Sequence, residues 1–294
     1  MSNLSPKDRS LIEQAARLVF GIFGFAGNEP YDLQGGGSGI IVAPGLALTA
    51  RHVVDDFYKQ LEGREPPSWP GRRRHEANLF QVLDPFNPEF CPKASWRVES
   101  ECRACYTDLA LLELNIGCPV SERLQLELSG QFFEWHLGLP PKGAVVLAIG
   151  YPKHSVAPEG GGIRVGAPFT YLTLEVTQTF PKHHSKGFYD FPGFHAATSN
   201  PIEGGFSGGP VFYDGRLCGL VAGEWDHGAY VTALGPLALM DYTLGEGDKD
   251  KHRFSDLFNN GVIAASDWPA IRDQLWKGRD EFGNPVVYFH EVGR

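Results

Sequence analysis

The chain has 294 residues, 42% of them hydrophobic and 21% charged, which is the balance of a globular protein with enough length to bury a full core and excludes a disordered or fibrous chain. Its formal net charge of -9 argues against nucleic acid or an anionic membrane surface as a partner. With 36 glycines and 22 prolines, about one residue in five punctuates the chain without a collagen-like period, which favours a predominantly β fold of short elements over a helical bundle.

Ser5-Pro6 places an N-cap before a proline at the first helical position. Leu11, Ile12, Ala15 and Ala16 then recur at helical spacing, so a short helix is expected to end near Arg17. Residues 18–27, LVFGIFGFAG, could imitate the core of a secretion signal. Asp8, Glu13 and Arg17 precede them and no A-x-A site follows, so a buried strand is expected rather than a cleaved leader. No apolar run reaches the roughly 18 residues of a membrane span. The stretch GNEPYDLQGGG is loop-like, and residues 39–42 and 46–49 form two short strands about Ala43-Pro44-Gly45.

Residues 59–75 read as a loop, with Pro66, Pro67, Pro70 and the solvated basic run Arg72-Arg73-Arg74. Strands are expected over 79–83, 96–98 and 108–114, the last being DLALLEL with a nearly all-apolar start. Residues 145–149 form a buried strand that ends in Gly150-Tyr151-Pro152, and 171–179 alternate branched and polar residues. Residues 211–213 and 217–221 flank Asp214-Gly215, a hairpin signal, and 229–233 form another strand. Ser266-Asp267-Trp268-Pro269 starts a helix running to near Lys277, and residues 285–289 form a final strand.

The five cysteines, Cys91, Cys102, Cys105, Cys118 and Cys218, are an odd and sparse set. They point to a reducing, cytoplasmic compartment without a disulfide framework. Cys102 and Cys105 make a CxxC pair, but Cys91 and Cys118 lie ten and twelve intervening residues away, which fits no common zinc module. Reduced, partly buried thiols are expected, with no metal and no cofactor.

The sharpest chemical signal is Gly204-Gly205-Phe206-Ser207-Gly208-Gly209-Pro210. A serine between glycines marks close backbone approach. An attacking hydroxyl needs such exposure, together with N–H groups aimed at the oxyanion it creates. Taken alone, the motif is usually only a turn. Serine needs a base, and among ten histidines His52 stands out at the end of GSGIIVAPGLALTARHVV, directly after an apolar strand. The base needs a buried carboxylate to fix its tautomer. Asp108 opens LALLEL and is expected to be buried, whereas Asp55, Asp56, Asp84 and Asp190 lie in looser context.

These motifs, with TDLALLEL, AIGYP and GGFSGGPVF, make the chain resemble the chymotrypsin/trypsin-like serine peptidases, and most closely their HtrA-like and bacterial trypsin-like branch. The likeness spans residues 18–240. It implies an all-β fold of two six-stranded antiparallel barrels with the site in the cleft between them, their boundary falling near 120–140. A short helix over 1–17 would precede the peptidase domain and an extension over 241–294 would follow it. It implies His52 as general base and acid, Asp108 as its orienter and Ser207 as the acylated nucleophile, with the N–H groups of Gly205 and Ser207 forming the oxyanion hole. Partners are then a protein or peptide substrate and, for a triggered enzyme, an activating protein.

Phe206 departs from the pattern. Many cleavage-activated relatives carry aspartate there, paired with a newly made N-terminus, so activation by that ion pair is not expected. The tail from about Leu244 is also too short for the PDZ-type domain of many HtrA proteins. By the same resemblance, Ala222, Gly223 and Glu224 run along the substrate, Gly228 faces the primary pocket, and Pro201 and Ile202 lie near its base. That favours a small or apolar residue before the scissile bond, with Glu203, Glu224 and Asp226 keeping a basic preference open. A cytoplasmic serine endopeptidase is the expected function, with a prokaryotic defence effector as one role. Alternatives are an inactive protease-like binding module and a triad esterase. Against the esterase count the fold resemblance to peptidases and the absence of a G-x-S-x-G elbow set between a strand and a helix.

Overall fold

The computed structural model describes residues 5–25, 33–62, 78–82, 93–103, 107–116, 131–152, 155–159, 162–166, 168–182, 192–225, 227–242, 252–279 and 285–289. Helix α1 (Pro6–Ala16) starts where Ser5 Oγ accepts the Asp8 N–H at 3.1 Å, so the serine cap and the proline behind it act as the sequence expects. Its buried face is Ile12, Ala15 and Ala16.

Next come β1 (Val19–Phe25), β2 (Leu33–Ala43), β3 (Leu46–Ala50), α2 (Arg51–Glu62), β4 (Asn78–Val82), β5 (Lys93–Arg103) and β6 (Leu109–Ile116). The six strands pair antiparallel and close into a barrel in the order β1-β2-β3-β6-β5-β4. The signal-like apolar stretch is β1, with Val19 and Phe20 fully buried. Residues 33–37, expected as loop, extend β2 instead. Leu33 pairs with Phe25 and Gln34 with Gly24, and the glycine run lets this strand pass close to its neighbours. A β-carbon on Gly37 would lie 2.5 Å from Val53 Cγ1.

The second set is β7 (Val145–Gly150), β8 (Ser155–Glu159), β9 (Gly162–Gly166), β10 (Thr170–Phe180), β11 (Gly193–Ala197), β12 (Pro210–Tyr213), β13 (Arg216–Trp225) and β14 (Gly228–Ala233). Six of these close a second antiparallel barrel, β10-β11-β14-β13-β12-β7, while β8 and β9 form a separate hairpin. Closure leaves neither barrel with an open sheet edge. The fold is the all-β double barrel that the resemblance implies.

Beyond β14 lie a 3₁₀ turn (Gly235–Leu239), β15 (Asp241–Tyr242), β16 (His252–Arg253), α3 (Ser255–Asn259), α4 (Trp268–Arg272), β17 (Leu275–Arg279) and β18 (Pro285–Phe289). The helix expected from Trp268 to Lys277 stops at Arg272. From Leu275 the chain pairs with β18, Leu275 opposite Phe289, so hairpin pairing overrides the helical pattern. One continuous apolar cluster joins Ile12 of α1, Leu48 and Leu111 of the first barrel, Trp135 and Leu137 of the inter-barrel segment, Leu220 of β13, and Trp268 and Phe289 of the extension. A second cluster, including Val176, Phe194, Phe206 and Val231, fills the second barrel.

Candidate active site

His52 is the second residue of α2, directly after the apolar strand β3. Asp108 immediately precedes β6, which pairs with β3 as Ala50 opposite Leu109. That register puts Asp108 at the start of α2, where the first N–H groups of a helix lack partners. The Asp108 carbonyl accepts the Arg51 N–H at 3.2 Å, and its Oδ1 accepts the His52 N–H at 2.9 Å. Its Oδ2 lies 2.7 Å from His52 Nδ1. A carboxylate accepts only, so Nδ1 carries the hydrogen and Nε2 is left with its lone pair. One buried carboxylate thereby caps the helix and fixes the imidazole tautomer.

Burial pulls the His52 pKa down, but the hydrogen bond and charge of Asp108, with Asp56 and Asp55 beyond, outweigh it and leave the group above the ordinary histidine value. The His52 side chain is 38% exposed and that of Asp108 11%, so the ring sits at a surface while its partner does not.

Two consecutive tight turns carry Ser207, which is the second residue of the second turn. The Phe206 N–H donates to the Glu203 carbonyl at 3.3 Å, and the Gly209 N–H to the Phe206 carbonyl at 2.8 Å. Each turn has glycine with positive φ at its third position, Gly205 at +98° and Gly208 at +82°, the signature of type II turns. A side chain at Gly208 would collide with the Ser38 carbonyl and the Thr49 hydroxyl. The Ser207 carbonyl accepts the Ser38 N–H at 2.7 Å and the Gly208 N–H donates to Val221 at 2.7 Å, so the serine is tied to both barrels. Among the described residues, the backbone N–H groups of Gly205 and Ser207 have no acceptor. Phe206 is 1% exposed, packed in the second core.

The residues expected along the substrate fall in different settings. Pro201 is exposed, and Ile202 is turned into the core of the second barrel. Ala222 is buried, Gly223 is half-buried beside a bulge in β13, and Glu224 is exposed. Gly228 backs onto β11, where a β-carbon would lie 2.8 Å from His195 Nε2. His195 is buried, with Nδ1 2.6 Å from Thr177 Oγ1 and Nε2 2.7 Å from the Trp225 carbonyl. Nothing in the sequence around His195 or Thr177 marks this pair. Ser38 was open to detection, because it sits between Gly37 and Gly39 inside the histidine motif.

Cys91, Cys105, Cys118 and Asp226 lie outside the described residues, as does the side chain of Cys102. Among the described residues no cluster of three or more metal-ligating side chains occurs. No helix among them is long and apolar enough to cross a membrane.

The profile of the trypsin-like peptidase domain matches residues 37–220. No curated protein matches the chain. Solved structures similar to it include the Rv3671c protease from M. tuberculosis in its active form, at 17% identity over 81% of this chain and 86% of that one, TM-score 0.49. The MamO protease domain from Magnetospirillum magneticum is similar at 15% identity over 75% and 94%, TM-score 0.44. Neuropsin, a serine protease expressed in the limbic system of mouse brain, is similar at 15% identity over 76% and 92%, TM-score 0.47. The matched span runs from the start of the histidine motif, through the strand after Asp108, to β13 beyond Ser207, and on it the chain belongs to the trypsin-like peptidases, a family of serine endopeptidases.

Proposed function

We propose that this chain cleaves protein substrates through an acyl-enzyme on Ser207, with His52 as its base and Asp108 as the orienter. The 2.7 Å contact between Asp108 Oδ2 and His52 Nδ1 carries the reading, because it leaves Nε2 ready to take a proton. Ser207 Oγ attacks the scissile carbonyl carbon and its proton passes to His52 Nε2. The new oxyanion accepts hydrogen bonds from the Gly205 and Ser207 N–H groups, whose lack of acceptors supports that role. Collapse expels the amine, which takes the proton from His52. Water then repeats the sequence on the ester and restores the serine.

The positive φ of Gly205 and the buried Phe206 support a site formed in the intact chain, without self-cleavage. The residue before the scissile bond is small or apolar. Support comes from the His195 ring, which takes the space behind Gly228. The test is labelling with a fluorophosphonate, which an activated serine attacks at phosphorus. Labelling is expected on Ser207, to be lost in Ser207→Ala and strongly slowed in His52→Ala. Labelling that survives Ser207→Ala would remove the assignment.

A further inference from the structure

Ser38, at 0% exposure on β2, has no part in the chemistry above, yet four hydrogen bonds converge on it. Its N–H donates to the Ser207 carbonyl at 2.7 Å, and its carbonyl accepts the Thr49 hydroxyl at 2.7 Å. Its Oγ donates to the Gly205 carbonyl at 2.7 Å and accepts the Tyr151 N–H at 2.8 Å. The direction of the last two bonds is forced. A carbonyl can only accept and an amide N–H can only donate, so the single hydroxyl proton must point at Gly205.

The geometry points to Ser38 as a positioning residue that locks the oxyanion-binding turn, through the hydroxyl bond to the Gly205 carbonyl. This rests on the reading of Gly205 and Ser207 as the oxyanion donors. Gly204 and Gly205 have no side chains to limit their backbone angles, so the Gly205 N–H keeps its aim only if the residues that follow it are held in place. Phe206 brings no charge to hold it. Ser38 grips the turn on both sides of Phe206, by side chain at Gly205 and by backbone at Ser207, and does so from the opposite barrel. The slot is built for it. A β-carbon on Gly150 would lie 2.9 Å from Ser38 Oγ, and one on Gly208 would strike the Ser38 carbonyl. The Tyr151 N–H donates to the same oxygen, which fixes the hydroxyl's rotation with its proton toward Gly205.

The experiment compares Ser38→Ala, Ser207→Ala and the unaltered chain on one peptide substrate, with active sites counted by exhaustive fluorophosphonate labelling. For Ser38→Ala, kcat per counted site is expected to fall by about tenfold or more, with KM changed less than about threefold. The acid limb of its pH profile should not move, because His52 and Asp108 are untouched. Affinity for a peptide boronate, whose tetrahedral oxygen occupies the hole, should fall by a similar factor, while a non-cleavable peptide binds as before. A merely structural role would lower the count of sites and leave kcat per site unchanged, which overturns the proposal. If Ser38→Ala does not fold, Ser38→Cys keeps the volume with a weaker donor. A fall in its kcat at constant KM supports the lock, and rates within about twofold of the unaltered chain overturn it. Turnover persisting in Ser207→Ala would remove the reading of the site itself and the lock with it. Loss of turnover there, beside an unaffected Ser38→Ala, removes the lock alone.

Discussion

The ring of Phe206 lies so close to Gly150 that a β-carbon on that glycine would sit 3.0 Å from Phe206 Cδ1. The residue before the serine is thus held by apolar packing, and the glycine of the GYP motif makes room for it. Phe206→Ala should cost about 3–5 kcal/mol of stability through the lost contacts and the cavity left behind. Phe206→Asp should cost a similar amount or more, because a buried carboxylate would lie there without a partner. Urea unfolding checks both. An aspartate variant as stable as the unaltered chain would show that a hidden cation waits there.

The His52–Asp108 pair fixes a pH dependence. With the folded His52 pKa raised above 6.5, the acid limb of kcat/KM should have its midpoint above that value. Asp108→Asn should shift the midpoint down and slow the reaction by about four orders of magnitude, since an amide N–H facing Nδ1 favours the wrong tautomer. For stability the sign follows from the raised value. The pair's contribution is fully present below the unfolded pKa and is lost as pH rises through the folded one. Melting at pH 6 should therefore separate Asp108→Asn from the unaltered chain more than melting at pH 9.

Asp267 ties the extension to the segment between the barrels. Its Oδ2 accepts the N–H groups of Leu137 at 2.9 Å and Gly138 at 3.2 Å, and lies 3.3 Å from His136 Nδ1. Asp267→Ala should cost about 1–3 kcal/mol by leaving those donors unmet. Asp273→Asn, on a side chain 75% exposed, should stay within about 0.5 kcal/mol. Chemical denaturation of the two variants provides the comparison.

Cys218 is fully buried, with its thiol donating to the Val211 carbonyl at 3.3 Å, and burial pushes its pKa far above the ordinary thiol value. The thiolate is the reactive form, so Cys218 should escape iodoacetamide in the folded protein and react in urea. Peptide mass mapping reads the difference, and rapid native labelling would contradict the burial.

Much of this was legible where local signals agree with tertiary demands. The capped α1, the alternating β10 and the Asp214-Gly215 turn each carry their own period or turn chemistry. The approach of His52 to Asp108 could be anticipated because a carboxylate before an apolar strand must find a partner. What stayed hidden depended on long-range pairing. The glycines at the start of β2 look like loop until β1 lies beside them. Residues 51–62 carry no N-cap of their own, because Asp108, distant in sequence, supplies it. Leu275 follows a helical pattern and becomes strand only against Phe289. His195 carries no local mark, because its partners Thr177 and Trp225 lie on other strands.

The apolar cluster that runs from Ile12 to Phe289 also sets an order of events during translation. Ser207 and both barrels are synthesised before Trp268, Val287 and Phe289, yet those later side chains cover the shared apolar surface that the inter-barrel segment presents. A growing chain that has passed Ser207 holds all three residues of the proposed triad and an unfinished core. Domains tend to fold as units once their sequence is available, so hydrolytic competence should lag behind the making of its chemistry. Turnover by a nascent chain is thus expected only once β18 has emerged and docked.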